Sequence, residues 1–163
     1  CKVILTTIET DSTFYSATRK GFDVAKVDPM LEQKTRQSFI EKYLGRHGKT
    51  LTEDQSSKLL TSTISIIPGN LRAILNELKN NGTFDELDQS IEQFSAISNA
   101  EDLYWHIVAD AERTFGGDFV AGILLPIAVS RNGLDEATIM AIAEISPLQW
   151  SQFYGYFEDF FVF

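Results

Sequence analysis

The chain has 163 residues, 44% of them hydrophobic and 12% aromatic, enough to pack a core, and this excludes a disordered tail. Its 23 acidic residues against 14 basic ones give a net charge of −9, which argues against a general nucleic-acid binder or docking on an anionic membrane. The one cysteine, Cys1, rules out an internal disulfide and any metal site built on cysteine pairs, and suits a reducing, cytoplasmic setting.

Lys2-Val-Ile-Leu-Thr6 is a short apolar run that reads as a buried strand. Residues 11–19 predict a short helix with a polar cap, stopped by Gly21. Phe22 to Val27 alternates with period two and predicts a second short strand. Asp28-Pro29 should open a helix reaching Gly45 or Gly48, with Leu31, Phe39, Ile40, Tyr43 and Leu44 on its apolar face. Thr52, followed by Glu53 and Asp54, caps the next helix, which carries Leu59, Leu60 and Ile64. Pro68 opens another, with Leu71, Ile74, Leu75 and Leu78 at i, i+3, i+4 and i+7, and Asn81-Gly82 ends it. Thr83 opens a helix with Leu87, Ile91 and Phe94 on one side.

Small polar residues at 95–99 mark the best boundary between two helical groups. Asn99 caps a helix to about Thr114, broken by Gly116-Gly117. Phe119 to Ser130 is almost continuously apolar, too short to span a bilayer, and fits a central core helix. Asn132-Gly133 is a turn, Asp135 to Glu144 a short helix, and Ser146-Pro147 restarts a helix to about Phe157, with Trp150, Phe153 and Phe157 on one side. The chain opens on a strand-like run without Met and ends in an apolar Phe-Phe-Val-Phe, so both ends read as cuts through a longer protein. Two strands alone are marginal, so the sheet they belong to is expected elsewhere in that parent.

Few residues suggest chemistry. Gly48-Lys49-Thr50 looks like the end of a phosphate-binding loop, but Tyr43 stands where the first glycine belongs and a helix precedes it, so a polar turn is the better reading. His106 and Asp110 lie one helical turn apart, with Glu112 close by, yet no third convergent ligand is visible; a solvated face or an interhelical hydrogen bond is expected. His47 is expected in an exposed turn, Cys1 has no visible base, and no Gly-x-Ser-x-Gly elbow exists. The helix pair over 134–144 and 147–157 has helix-turn-helix spacing, but the second helix holds no Lys or Arg, so its aromatics are for packing rather than for DNA. No catalytic or metal-binding residue is assigned.

From Ile67-Pro-Gly-Asn-Leu-Arg-Ala-Ile-Leu-Asn-Glu-Leu-Lys-Asn-Asn-Gly-Thr-Phe-Asp-Glu-Leu-Asp88 the chain resembles the region after the catalytic core in NACHT-type STAND NTPases of the AAA+ class, especially the nephrocystin and telomerase-associated-protein-like group. Tyr43 to Leu51 looks like their helix end and Gly-Lys-x-Leu turn, Val3-Ile-Leu-Thr-Thr7 like the sensor strand, and Val27-Asp-Pro-Met30 like the passage into the lid. Ser130 to Thr138, followed by Trp150, is similar to the family's Gly-Leu turn. The order and spacing of these pieces carry the likeness, not any one motif.

The resemblance implies a mainly α chain: residues 1–27 as one or two residual strands of an α/β P-loop core, 28–97 as a helical lid, and 98–163 as a winged-helix-like domain truncated before its wing. It implies a nucleotide-switch role in a signalling ATPase, with ATP or ADP in the full-length parent. Partners would be the N-terminal P-loop half, other proteins and, in the parent, further copies of itself. Thr6 and Thr7 match the end of the sensor strand, although Ile8 stands where many relatives have Arg; Pro68 matches the lid proline near the nucleotide base, although Ile67 and Gly69 depart from the signature. For Pro68 the helix-opening role alone is a sufficient explanation. The alternative is a stand-alone helical protein-interaction adaptor with no nucleotide link; a DNA-binding winged helix is the weaker third reading.

Overall fold

A computed structural model describes residue 7 and residues 9–80, 84–158 and 160. Among them the regular structure is helical: α1 (Ser12–Arg19), α2 (Gln33–Arg46), α3 (Glu53–Thr61), a 3-10 turn (Ile64–Ile66), α4 (Pro68–Asn80), α5 (Phe84–Ala96), α6 (Ala100–Phe115), α7 (Gly117–Val129), α8 (Glu136–Ala143) and α9 (Pro147–Phe157). The mainly α expectation holds. The expected strand over 2–6 and the closing turn at Asn81, Gly82 and Thr83 lie outside the described residues, as does most of the apolar end.

Two expectations near the start are corrected. Phe22 to Val27 forms no strand; the segment has no regular structure, and Phe22, Val24 and Val27 are exposed. Alternation signals a strand only where another strand takes its backbone bonds, and none does so among the described residues. The helix expected from Asp28-Pro29 starts later, at Gln33. Residues 28–32 are not helical, the Met30 N–H donates to the Ile66 carbonyl at 2.7 Å, and Leu31 is exposed rather than packed.

Elsewhere the capping residues set the ends. Thr52 and Gln55 form a reciprocal capping box at α3, Ser146 and Gln149 another at α9, and Asn99 and Asp135 accept from Asp102 and Thr138 at α6 and α8. Gly116, at φ +96°, serves as the last cap of α6 and the first of α7, a backbone conformation that a side chain would strain.

Helix α4 is the central element. It packs on α2, α5, α6 and the 3-10 turn, and Leu71, Ile74, Leu75 and Leu78 are fully buried, as their spacing predicts. Around it α2, α3 and α5 supply Ile40, Leu44, Leu59, Ile91 and Phe94. The Gln55 amide donates to Asp88 at 2.7 Å, linking α3 to α5. The second group, α6 to α9, is built on aromatics: Phe153 meets Phe115 edge-on at 5.6 Å and Phe157 at 4.7 Å. The expectation that 119–130 is a central core helix is corrected. Only Val120 and Ile123 of α7 are buried, while Leu125 is 62% and Val129 83% exposed. The helix packs on α6 and α8 and leaves its remaining side open.

Asn76, in the middle of α4, is 1% exposed, and neither of its amide atoms has a hydrogen-bond partner. Such a group costs about 1–3 kcal/mol. Replacing Asn76 with Leu should therefore raise the unfolding free energy by about 1–3 kcal/mol in urea denaturation; a fall would show that the amide has a partner that the Leu destroys.

Candidate functional site

The junction between the two helical groups joins a buried carboxyl to two half-buried polar side chains. Glu77, near the end of α4, is 7% exposed although it carries a carboxyl. Its register places it beside Leu78 and one turn beyond Ala73 and Ile74, so it points toward α6 and α9 instead of solvent. The Tyr156 hydroxyl of α9 lies 2.9 Å from Glu77 Oε2 and 2.8 Å from Asp110 Oδ2 of α6. Arg113, three residues on, binds the other oxygen of Asp110. One phenol thus joins three helices.

The charge states follow from proton counting. Tyr156 has a single hydroxyl proton and can satisfy one carboxylate; the second close contact needs a proton on a carboxyl. Burial pushes the Glu77 carboxyl up to about 7, with the nearby Asp110 charge acting in the same direction and the Tyr156 bond against it. Burial also works against charge on Asp110, but hydrogen bonds from Arg113 and Tyr156 outweigh it and hold that carboxyl below its usual value. Burial, then the Glu77 charge and the bond to Asp110, push the Tyr156 phenol well above its usual value, so it stays protonated. Below about pH 7, Glu77 therefore carries the proton and donates to Tyr156, and Tyr156 donates to Asp110.

Next to this chain of bonds lies a cleft of about 310 Å³, walled by Glu77 of α4, by Gln89, Ser90 and Gln93 of α5 and by His106, Asp110 and Arg113 of α6. His106 packs edge-on against Phe94 at 5.1 Å. Of the two expectations for Asp110, a solvated face or an interhelical hydrogen bond, the structure shows the second, with Tyr156. Sequence reasoning missed Glu77 and Tyr156. A glutamate inside the apolar face of the α4 pattern was the available signal, but its partner lies 79 positions away. Among the described residues no three His, Cys, Asp or Glu side chains come together to hold a metal ion.

Of the residues singled out for nucleotide binding, Thr7 and Pro68 are among the described residues. Thr6 lies outside the described residues, and Thr7 is exposed and in no helix or strand. Pro68 is half-buried at the first position of α4, and Ile67 before it is exposed. No hydrogen bond joins Thr7 to the Pro68 region among the described residues. Gly48 and Lys49 follow α2 in a turn, where the Lys49 ammonium donates to the Leu78 carbonyl at 3.4 Å.

The chain is similar to a TPR repeat-containing protein of Dictyostelium discoideum, with 23% identity over 155 residues that cover 91% of this chain and 9% of that protein. It thus spans under a tenth of the length of the curated relative it matches. No family model matches the chain, and no solved structure does. No helix among the described residues is long and apolar enough to cross a membrane.

The Glu77 carboxyl makes stability depend on pH, with a definite sign. Its folded pKa lies above the unfolded value of about 4.5, so the folded state binds the extra proton. Stability is highest below about pH 4.5 as far as this group is concerned, falls as pH rises through 7, and is level above that. The shift corresponds to about 3 kcal/mol. Between pH 5 and 7.5, urea midpoints of the wild type should fall relative to those of Glu77→Gln, whose amide does not titrate; parallel profiles would show that Glu77 is ionised throughout.

Proposed function

We propose that this chain is a helical protein-interaction module of a larger protein. The observation that carries the reading is α7. A helix apolar on nearly every side is normally enclosed, yet this one buries one side and exposes Leu125 and Val129. Leu148, at the start of α9, and Trp105 of α6 are exposed too, at 70% and 64%. Large apolar side chains left exposed on one face of a helix mark places where proteins meet. The similarity to a short part of a TPR repeat-containing protein supports the same reading. Leu125→Asp and Val129→Asp should leave the urea midpoint within about 0.5 kcal/mol of wild type, as surface changes do, while abolishing the capture of partners in crosslinking and co-purification. Retained capture would exclude this face, and loss of folding would show that it is packed.

A second reading is the lid and winged-helix part of a NACHT-type nucleotide switch, in which the chain closes over ATP or ADP held by a P-loop half. The position of Pro68 favours it: the residue opens α4, where the resemblance puts a lid proline, and stays partly accessible. Thr6, Thr7 and Pro68 would then face the nucleotide, and the chain alone would bind it poorly. In the full-length protein Pro68→Ala should speed nucleotide release more than it lowers the melting temperature, while calorimetry on the isolated chain should find no micromolar ATP site. Unchanged release, or tight ATP binding by the chain alone, would reject the assignment.

A further inference from the structure

We propose that a groove along α2 receives an acidic segment of the protein partner, with one large apolar side chain between two carboxylates. The inference rests on the interaction-module reading and adds a second contact, on the first helical group, to the α7 face on the second.

The groove lies between the 28–32 segment and α2. It is lined by Met30 and by Lys34, Thr35, Ser38, Phe39 and Lys42, a stripe that runs two turns along one side of the helix. Its walls are mostly apolar, and its volume is about 430 Å³, at the small end of binding cavities. Met30 and Phe39 are half-buried and form its floor. The floor is held from both sides. The Met30 N–H donates to the Ile66 carbonyl, and the Phe39 ring stacks on Tyr43 at 6.3 Å. A formed, apolar recess of this size suits a phenyl or branched side chain.

Charge selects what surrounds that side chain. The chain carries a net charge of −9, yet α2 holds Lys34, Arg36, Lys42 and Arg46 against Glu41 alone. Glu41 accepts from Gln37 at 2.7 Å and does not line the groove. Lys34 and Lys42 do line it, both are exposed, and among the described residues neither ammonium has a hydrogen bond or an ion pair. Two free cations beside an apolar recess, on an otherwise acidic molecule, are complementary to an acidic and apolar ligand. Lys34 and Lys42 stand roughly 12 Å apart along the helix axis. An extended peptide advances about 3.3 Å per residue and turns alternate side chains to one side. Carboxylates four residues apart, with the apolar residue midway, therefore reach both lysines and the recess together. A phosphate backbone suits the groove less well, because its centre is apolar and the whole chain repels polyanions. An anionic membrane suits it less well too, because the floor is recessed instead of protruding.

The test titrates the whole chain, labelled at the methionine methyls, with the blocked peptide acetyl-Glu-Ser-Phe-Ser-Glu-amide. The chain has two methionines, Met30 in the groove and Met140 on α8, so the second is an internal control. The Met30 methyl should shift saturably and Met140 should not. The response should weaken in high salt, and should be at least about tenfold weaker with Lys in place of both peptide Glu residues or Ser in place of its Phe. Lys34→Glu combined with Lys42→Glu should weaken it at least about tenfold while the urea midpoint stays unchanged. If that pair unfolds the chain, Lys34→Gln with Lys42→Gln should weaken binding at least about threefold. No saturable shift, an equal shift of Met140, equal binding of either control peptide, or undiminished binding by a folded variant would each overturn the proposal. So would a Met30 shift caused by a DNA duplex or by phosphatidylserine vesicles but not by the peptide, or by self-association of the chain alone. If the peptide fails while Leu125→Asp and Val129→Asp still abolish partner capture, only the groove assignment falls. If the peptide binds while those changes leave capture unaffected, the α7 face falls instead.

Discussion

A single phenol hydroxyl shared between two carboxyls governs how the two helical groups meet. Tyr156 contributes one proton, Glu77 and Asp110 present two acceptors, and only a protonated Glu77 satisfies all three groups. The apolar core could tolerate small shifts of α9 along α6, because contacts between aromatic rings are broad in geometry. The hydrogen bonds are not so tolerant, since they fail beyond a few tenths of an ångström. The polar junction therefore specifies the docking geometry that the surrounding Phe115, Phe153 and Phe157 stabilise.

That arrangement carries a cost typical of buried polar groups. Glu77 is ionisable and enclosed, its Oε1 is unbonded, and the neighbouring Asn76 amide is buried with neither atom bonded. Arg36 of α2 adds a third case: its guanidinium is buried, one nitrogen donates to Ser65 Oγ at 2.7 Å, and Nε has no partner. A chain selected only for stability would replace such groups with apolar residues. Two of the three lie on α4, the helix that touches both groups, so the unfavourable terms concentrate where the parts meet.

The outer side of the second group presents the opposite chemistry. Leu125 and Val129 are one turn apart on α7 and face outward, while the groove along α2 is edged by Lys34 and Lys42. Large apolar side chains offer contact area and little orientation; charged groups offer orientation and partner choice. A protein-binding surface commonly needs both.

Much of the fold was legible in the sequence, because helix ends and apolar stripes are local. The Thr52, Asn99, Asp135 and Ser146 caps fall where they were expected, and Leu71, Ile74, Leu75 and Leu78 are buried as a period of 3.6 requires. The strand at 22–27 failed for a reason no local pattern contains: alternation makes a strand only when a partner accepts its bonds. The apolar run of α7 predicts a central helix because hydrophobicity reports a preference for burial, whereas burial itself depends on what lies beside it. The candidate site lay further out of reach. His106 and Asp110 are visible as a helical pair, but the partner that gives Glu77 its role, Tyr156, lies 79 positions away. Composition and spacing determined a helical chain with a negative charge. Only the tertiary packing decided that α4 is the centre, that α7 stays half open, and that Glu77 meets Tyr156, because those facts depend on contacts between residues far apart along the chain.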